Sequence, residues 1–204
     1  MAGSETPRLE TKKSIHAAER DTERVGALRR LFVEALQEED VARFVSVDET
    51  STNLTYGRAP TSRRLDQAMP LHGGPNGTRI AALAPDGLRA LMSVDGAVFA
   101  AYLNRVLGPT LRPGDVVVLD NLSVHKMDGL HEIVQKYGAR LRYLPPYSPD
   151  FNLIELAFSK IKTWLRTAKA RTCDALQGAL LTTAAWVTEQ DTKNWFDHCR
   201  YHVQ

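Results

Sequence analysis

Two carboxylates, Asp120 and Glu155, bracket the stretch of this 204-residue chain whose residue types are best suited to chemistry. Asp120 ends the run Val116-Val117-Val118-Leu119, which follows the turn Pro113-Gly114-Asp115. Four consecutive apolar residues read as a short strand buried on both faces, and an acid at the end of such a strand emerges where open α/β sheets place their sites. Glu155 arrives by another route. Pro145, Pro146 and Pro149 hold the chain extended, and Asn152 is placed to cap a helix whose first turn contains Glu155. Two roles are open to Glu155 from this window: the capping-box partner of Asn152, or an acid that does chemistry.

The face of that helix bears on the choice. Ile154, Phe158, Ile161, Leu165 and Ala168 recur at helical spacing and form the stripe to be buried. Glu155, Ser159, Lys162 and Arg166 form a second stripe, about a quarter turn away by 3.6-residue geometry. A carboxylate followed along its own face by a hydroxyl and two cations suits a metal site from which a phosphate backbone runs away. The plainer alternative is a solvated helix edge. A third acid stands at Asp48 or Glu49, beside the end of the strand predicted over Val41 to Asp48, and spacing does not choose between the two.

These acids need a scaffold. Residues 1–14 are polar and mixed in charge, and Ile15 to Asp40 predicts a helix with Val25, Leu28, Phe32, Ala35 and Leu36 on one side. Residues 1–40 therefore read as a flexible N-terminus with a linker helix, and 41–204 as one catalytic-type domain. Segments 78–84 and 88–94 flank Pro85-Asp86-Gly87 and predict an antiparallel hairpin. Asp95 can cap a helix bearing Val98, Phe99, Tyr102, Leu103, Val106 and Leu107, ended by Gly108-Pro109. A helix over Met127 to Tyr137, a strand over Ala139 to Leu144, a long helix from Thr172 toward Val187 and a short one over Thr192 to His198 complete a mixed α/β order.

Composition is that of an ordinary globular chain, with 43% hydrophobic and 25% charged residues and a net charge of +2. That charge alone does not mark a nucleic-acid partner, but its distribution does more. Lys160, Lys162, Arg166, Lys169 and Arg171 give five cations and no acid between Ser159 and Thr172, and Arg58, Arg63 and Arg64 sit in a loop with Gly and Pro. These eight are the candidate phosphate contacts, which would position a nucleic acid without reading its sequence. Cys173 and Cys199 form no zinc pattern and fit a reducing compartment. No apolar run approaches the ~20 residues that span a bilayer, so no membrane is expected and a cytoplasmic location is. Trp164 is expected in the core.

Three blocks carry a family resemblance. They are Phe44-Val45-Ser46-Val47-Asp48-Glu49-Thr50, then Val118-Leu119-Asp120-Asn121-Leu122-Ser123-Val124-His125-Lys126, then Leu144-Pro145-Pro146-Tyr147-Ser148-Pro149-Asp150-Phe151-Asn152 with Ile154-Glu155 following. In residue types, order and the 34 residues between Asp120 and Glu155, the chain resembles the metal-dependent transposases with an Asp, Asp, Glu triad, specifically the bacterial insertion-sequence branch of the mariner superfamily. The likeness runs from about Asp48 to Asn194-Trp195-Phe196-Asp197-His198-Cys199. One departure is Leu153, where the family usually has Pro, a residue suited to a first helical position.

The resemblance implies the ribonuclease H-like fold, a five-stranded mixed sheet flanked by helices with the first and fourth strands side by side. It implies Asp48, Asp120 and Glu155 as the catalytic and metal-binding acids, with Asn121 and His125 supporting, although a surface or capping role for His125 is equally consistent with its place near a helix start. It implies two Mg2+ ions, replaceable by Mn2+, which stabilise the attacking and leaving oxygens of an in-line displacement. The activity implied is cleavage of DNA at the ends of a mobile element by water, then attack of the freed 3′-hydroxyl on target DNA, with TA as the preferred target. The partners implied are terminal inverted repeats, target DNA, a second copy of the chain, and a separately encoded helix-turn-helix protein, since residues 1–40 cannot house two such modules. The alternatives are an idle remnant that binds DNA or transposase subunits, and a nuclease on the same fold that cuts without joining.

Overall fold

Side chains that alternate between two cores along two neighbouring strands set the arrangement of the chain, seen in a computed structural model that describes residues 17–52, 77–94, 98–121, 126–168 and 186–201, with single positions between 175 and 182. The strands are β1 (Phe44–Thr52), β2 (Gly77–Ala84), β3 (Gly87–Val94), β4 (Val116–Leu119) and β5 (Arg140–Tyr143). They form one sheet in the order β3-β2-β1-β4-β5. The β2–β3 hairpin and the β1–β2 pair are antiparallel, whereas β1–β4 and β4–β5 are parallel. The first and fourth strands are therefore adjacent, and the sheet is mixed, as the sequence resemblance implies.

Period-two alternation divides the core between the two faces of this sheet. Phe44, Val116 and Val118 pack on one face with α1 (Glu23–Leu36) and α4 (Leu153–Ala168). Val45, Val47, Val117 and Leu119 pack on the other with α2 (Phe99–Tyr102) and α3 (Leu130–Gln135). All four residues of β4 are buried, as a parallel central strand requires. The last helix, α5 (Glu189–His198), joins the α1/α4 side through Phe196.

Several boundaries differ from those the sequence predicts, each for a local reason. The first helix is shorter than 15–40: Thr22 caps α1, its Oγ1 accepting from the Val25 N–H at 3.4 Å. The strand predicted from Val41 begins at Phe44, because Asp40 caps a short 3-10 turn, Val41–Arg43. Past α2 the chain widens into a π-helical turn over Leu103–Leu107 before ending at a 3-10 turn. The helix predicted over Met127 to Tyr137 is held to Leu130–Gln135 by glycines in left-handed conformation at both ends, Gly129 with φ 85° and Gly138 with φ 73°. The final helix starts earlier than Thr192, where Thr188 and Asp191 make a reciprocal capping box. The helix predicted from Thr172 lies largely outside the described residues.

Two features bear on the site. Helix α1 is part of the core, since Phe32 and Leu36 are buried among Phe44, Phe151 and Tyr201. Trp164 is half-buried against that core, and its ring stands 5.5 Å from that of Trp186. No helix among the described residues is long and apolar enough to cross a membrane.

Candidate active site

Strand parity delivers the first two acids. Phe44 pairs with Val116 and Ser46 with Val118 in parallel register, and carrying that register two places on sets Asp48 level with Asp120. Both then lie on the α4 side, because side chains two apart share a face. Neighbouring strands run about 4.8 Å apart, so the two backbones are close where the acids leave the sheet. Glu49 falls on the opposite parity and is exposed, so the structure separates the two residues that sequence spacing leaves equivalent.

The third acid comes from α4. Leu153, Ile154, Ala157, Phe158, Ile161 and Leu165 are buried, leaving Glu155 exposed on the flank. Leu153, at the position where Pro is usual, is fully buried and contributes packing instead. The capping-box role that the sequence leaves open for Glu155 is not taken. Asn152 turns its side chain toward β1, where Oδ1 accepts from Ser46 Oγ at 2.8 Å and Nδ2 donates to Asp48 Oδ2 at 2.7 Å. Among the described residues the Glu155 carboxylate makes no hydrogen bond or ion pair, so it is not spent on the helix end.

Asp48, Asp120 and Glu155 line a single cleft of about 520 Å³ together with Asn121, Asn152, Arg24, Lys126 and the turn 144–149. Asp48 is buried, and its Oδ1 accepts from the Glu49 N–H at 2.6 Å. Tyr147, on the cleft wall, is half-exposed and holds a left-handed φ of 53°, a conformation seldom taken by an aromatic residue. Among the described residues the lining contains no His or Cys, and the donors they offer are hard oxygens, the kind that Mg2+ and Mn2+ prefer. Among the described residues no three His, Cys, Asp or Glu side chains are already drawn together as a metal cluster. The donor chemistry fits a divalent cation; the acids surround the space and do not close on one point.

The candidate cations divide. Arg58, Arg63, Arg64, Lys169 and Arg171, and the candidate support His125, lie outside the described residues, as does the side chain of Arg166. Lys162 is half-buried and lies outside the cleft lining. Lys160, a candidate phosphate contact, has its ammonium bonded to Asp191 Oδ2 at 2.5 Å, tying α4 to α5. Burial pulls the Asp191 carboxyl up, but the bonds from Lys160 and Thr188 outweigh it and hold the group at about 2.

Nothing in the sequence alone singles out Ser46, Arg24 or Lys126. Arg24 belongs to a helix that reads as a linker, and Lys126 ends the segment 118–126 with no periodicity to mark it. In the structure Arg24 and Lys126 are the cations that the described residues place on the cleft wall.

The sequence matches the family model described as DDE superfamily endonuclease over residues 43–177, more than half of the chain. No curated protein matches the chain by sequence. Among solved structures, the chain is similar to a pre-cleavage Mos1 transpososome, with a TM-score of 0.68 at 13% identity over 98% of this chain and 66% of that one. It is also similar to the catalytic domain of Mos1 mariner transposase, at 0.64 and 14% over 91% and 90%. A structure of that catalytic domain with Raltegravir and Mg gives 0.65 and 14% over 93% and 96%. The chain thus spans about two thirds of the longer Mos1 chain, 66%, and nearly all of the catalytic domain alone. At these identities the likeness establishes the fold, the ribonuclease H-like sheet with flanking helices. With a family match that covers all three acids, the chain belongs to the DDE superfamily endonucleases.

Proposed function

We propose that this chain is the catalytic part of an insertion-sequence transposase, which cleaves DNA and transfers the freed strand at Asp48, Asp120 and Glu155. The observation that carries the reading is the convergence of these three acids, from β1, β4 and α4, on one cleft. Membership of an endonuclease family and a fold shared with Mos1 transposase support it.

Asp48, Asp120 and Glu155 would hold two Mg2+ ions, with Mn2+ able to replace them. When bound, such a pair supplies charge stabilisation to the attacking and leaving oxygens of an in-line phosphoryl displacement. The chain's own groups do the rest. Ser46 and Asn152 fix the rotamer of Asp48, as outer partners do for metal-binding carboxylates. Glu155, unengaged among the described residues, is free to meet metal and to orient water. Arg24 and Lys126 line the same cleft as the acids and would bind phosphates near the scissile one. Asn121 lines the same wall. The partners in this reading are the element's terminal inverted repeats, target DNA, a second copy of the chain and a separately encoded helix-turn-helix protein, in the cytoplasm.

The test is nicking and strand transfer on duplexes that carry the element's ends, with Mg2+ or Mn2+. Wild type should cut and join, while Asp48→Asn, Asp120→Asn and Glu155→Gln should do neither at wild-type melting temperature. Cutting without joining would make it a plain nuclease, and no cutting at all would make it a remnant that only binds.

A further inference from the structure

Four of the five residues from Ser148 to Asn152, just ahead of the helix that carries Glu155, are held by groups outside that segment, and α1 does most of the holding. Arg29 Nη1 donates to Ser148 Oγ at 2.6 Å and to Asp150 Oδ1 at 3.0 Å, while Nη2 donates to Asp150 Oδ2 at 2.6 Å. Arg20 adds a second bond to the same carboxylate at 3.0 Å. The Arg29 guanidinium also lies 4.4 Å from the centre of the Phe151 ring, and Phe151 stacks on Phe32 at 5.4 Å. From the chain's other end, Tyr201 Oη donates to the Phe151 carbonyl at 2.9 Å. The next residue is Asn152, which grips Asp48, and three residues later comes Glu155.

We infer that Arg29 is a positioning residue for the carboxylate cleft: by clamping Asp150 and Ser148 to α1 it sets where Asn152 and Glu155 stand relative to Asp48. The inference rests on the proposed role of that cleft.

Three physical points support it. A bidentate guanidinium–carboxylate pair fixes orientation as well as distance, which a lysine would not. The Arg29 side chain is 15% exposed and its guanidinium lies over the Phe151 ring, so the cation is held in place beside the 40%-exposed Asp150 carboxylate. Burial pulls the Asp150 carboxyl up, yet the bonds and charges of Arg29 and Arg20 more than offset this and keep it below the usual carboxylate range, so the clamp stays charged at neutral pH. The segment Pro145 to Pro149 that leads into the clamp has little freedom of its own. Movement of α1 would therefore pass through Asp150 and Phe151 to the pair of residues that contact or face the other acids.

The experiment uses the full chain with Mn2+ as the probe. Mn2+ affinity is read by titration calorimetry, and cleavage kinetics and melting temperature are recorded for wild type, Arg29→Met, Asp150→Asn, the double variant and Glu155→Gln. Asp150→Asn keeps the shape of the loop, so it stands in should Arg29→Met fold poorly. Both single variants should weaken Mn2+ binding several-fold and lower kcat about tenfold or more with KM for DNA little changed, since small misplacements of a catalytic group are costly. The double variant should be no worse than either single one, as for two ends of one link. A fall in melting temperature with unaltered Mn2+ affinity and kcat would overturn the inference and leave Arg29 a structural residue. Glu155→Gln separates the two levels. Wild-type cleavage by that variant would end the proposed function, and the Mn2+ affinity of Arg29→Met would then decide the clamp's role alone.

Discussion

The Asn152 side-chain amide bridges two residues of β1, donating to Asp48 Oδ2 at 2.7 Å and accepting from Ser46 Oγ at 2.8 Å. All three residues are buried, so the cost of breaking the bridge includes the desolvation of whatever is left unpaired. Asn152→Ala should destabilise the chain by about 1–3 kcal/mol. It should also lower Mn2+ affinity or cleavage by about 10–100-fold, the usual range for an outer partner of a metal-binding group. Urea denaturation and metal-dependent nicking check the two effects separately. A variant with lowered stability and unaltered nicking would show that Asp48 does not need the bridge to act.

Arg24 and Lys126 bear on DNA affinity in a way that salt reveals. Each phosphate contact releases counterions, so removing one should reduce the slope of log affinity against log salt by about 0.9 for duplex DNA. Arg24→Ala and Lys126→Ala should each show that reduction between about 50 and 200 mM salt, and the loss should be similar for unrelated sequences. Equilibrium binding to two different duplexes is enough. An unaltered slope would remove that residue from the DNA path.

The Lys160–Asp191 pair makes a pH-dependent contribution with a definite sign. The folded Asp191 carboxyl lies at about 2, below the roughly 3.9 of an unfolded aspartate. Its contribution is therefore complete above about pH 4 and is lost as pH falls toward the folded value. Lys160→Met should move the acid-unfolding midpoint upward, seen by circular dichroism between about pH 2 and 5. Identical acid midpoints for variant and wild type would show that the pair does not tie α4 to α5 in solution.

Gly108 is required by the ring of Tyr137, which occupies the space a Cβ would need. Tyr137 is itself anchored, its Oη donating to the Asn104 carbonyl at 2.5 Å. Gly108→Ala should cost about 1–3 kcal/mol through overpacking. The same change in a Tyr137→Ala background should cost much less, a coupling that thermal melts of the four proteins measure.

Much of this arrangement can be read from the chain before any coordinates. The apolar run Val116 to Leu119 and the stripe Ile154, Phe158, Ile161, Leu165 specify β4 and α4, because their periods leave few alternatives. The hairpin around Asp86-Gly87 follows from turn chemistry. Side-chain choices between equivalent partners are a different matter. Asn152 had a local acceptor role at the helix end and a distant one on β1, and the distant one won because it satisfies a buried carboxylate and a buried hydroxyl together. Lys160 looks like its neighbours in a basic run, yet it meets Asp191, a residue 31 positions away. Arg24 and Arg29 come from a helix whose amphipathic pattern carries no sign of the loop it grips.

The level placement of Asp48 and Asp120 has an evolutionary edge. Because neighbouring positions on a strand look in opposite directions, one codon gained or lost within 116–119 would swing the second acid to the α2 and α3 side while leaving composition, length and family signature almost intact. Copies of such a gene could stay recognisable by descent and yet be silent, and the quickest audit of any copy is to count residues between Gly114 and Asp120.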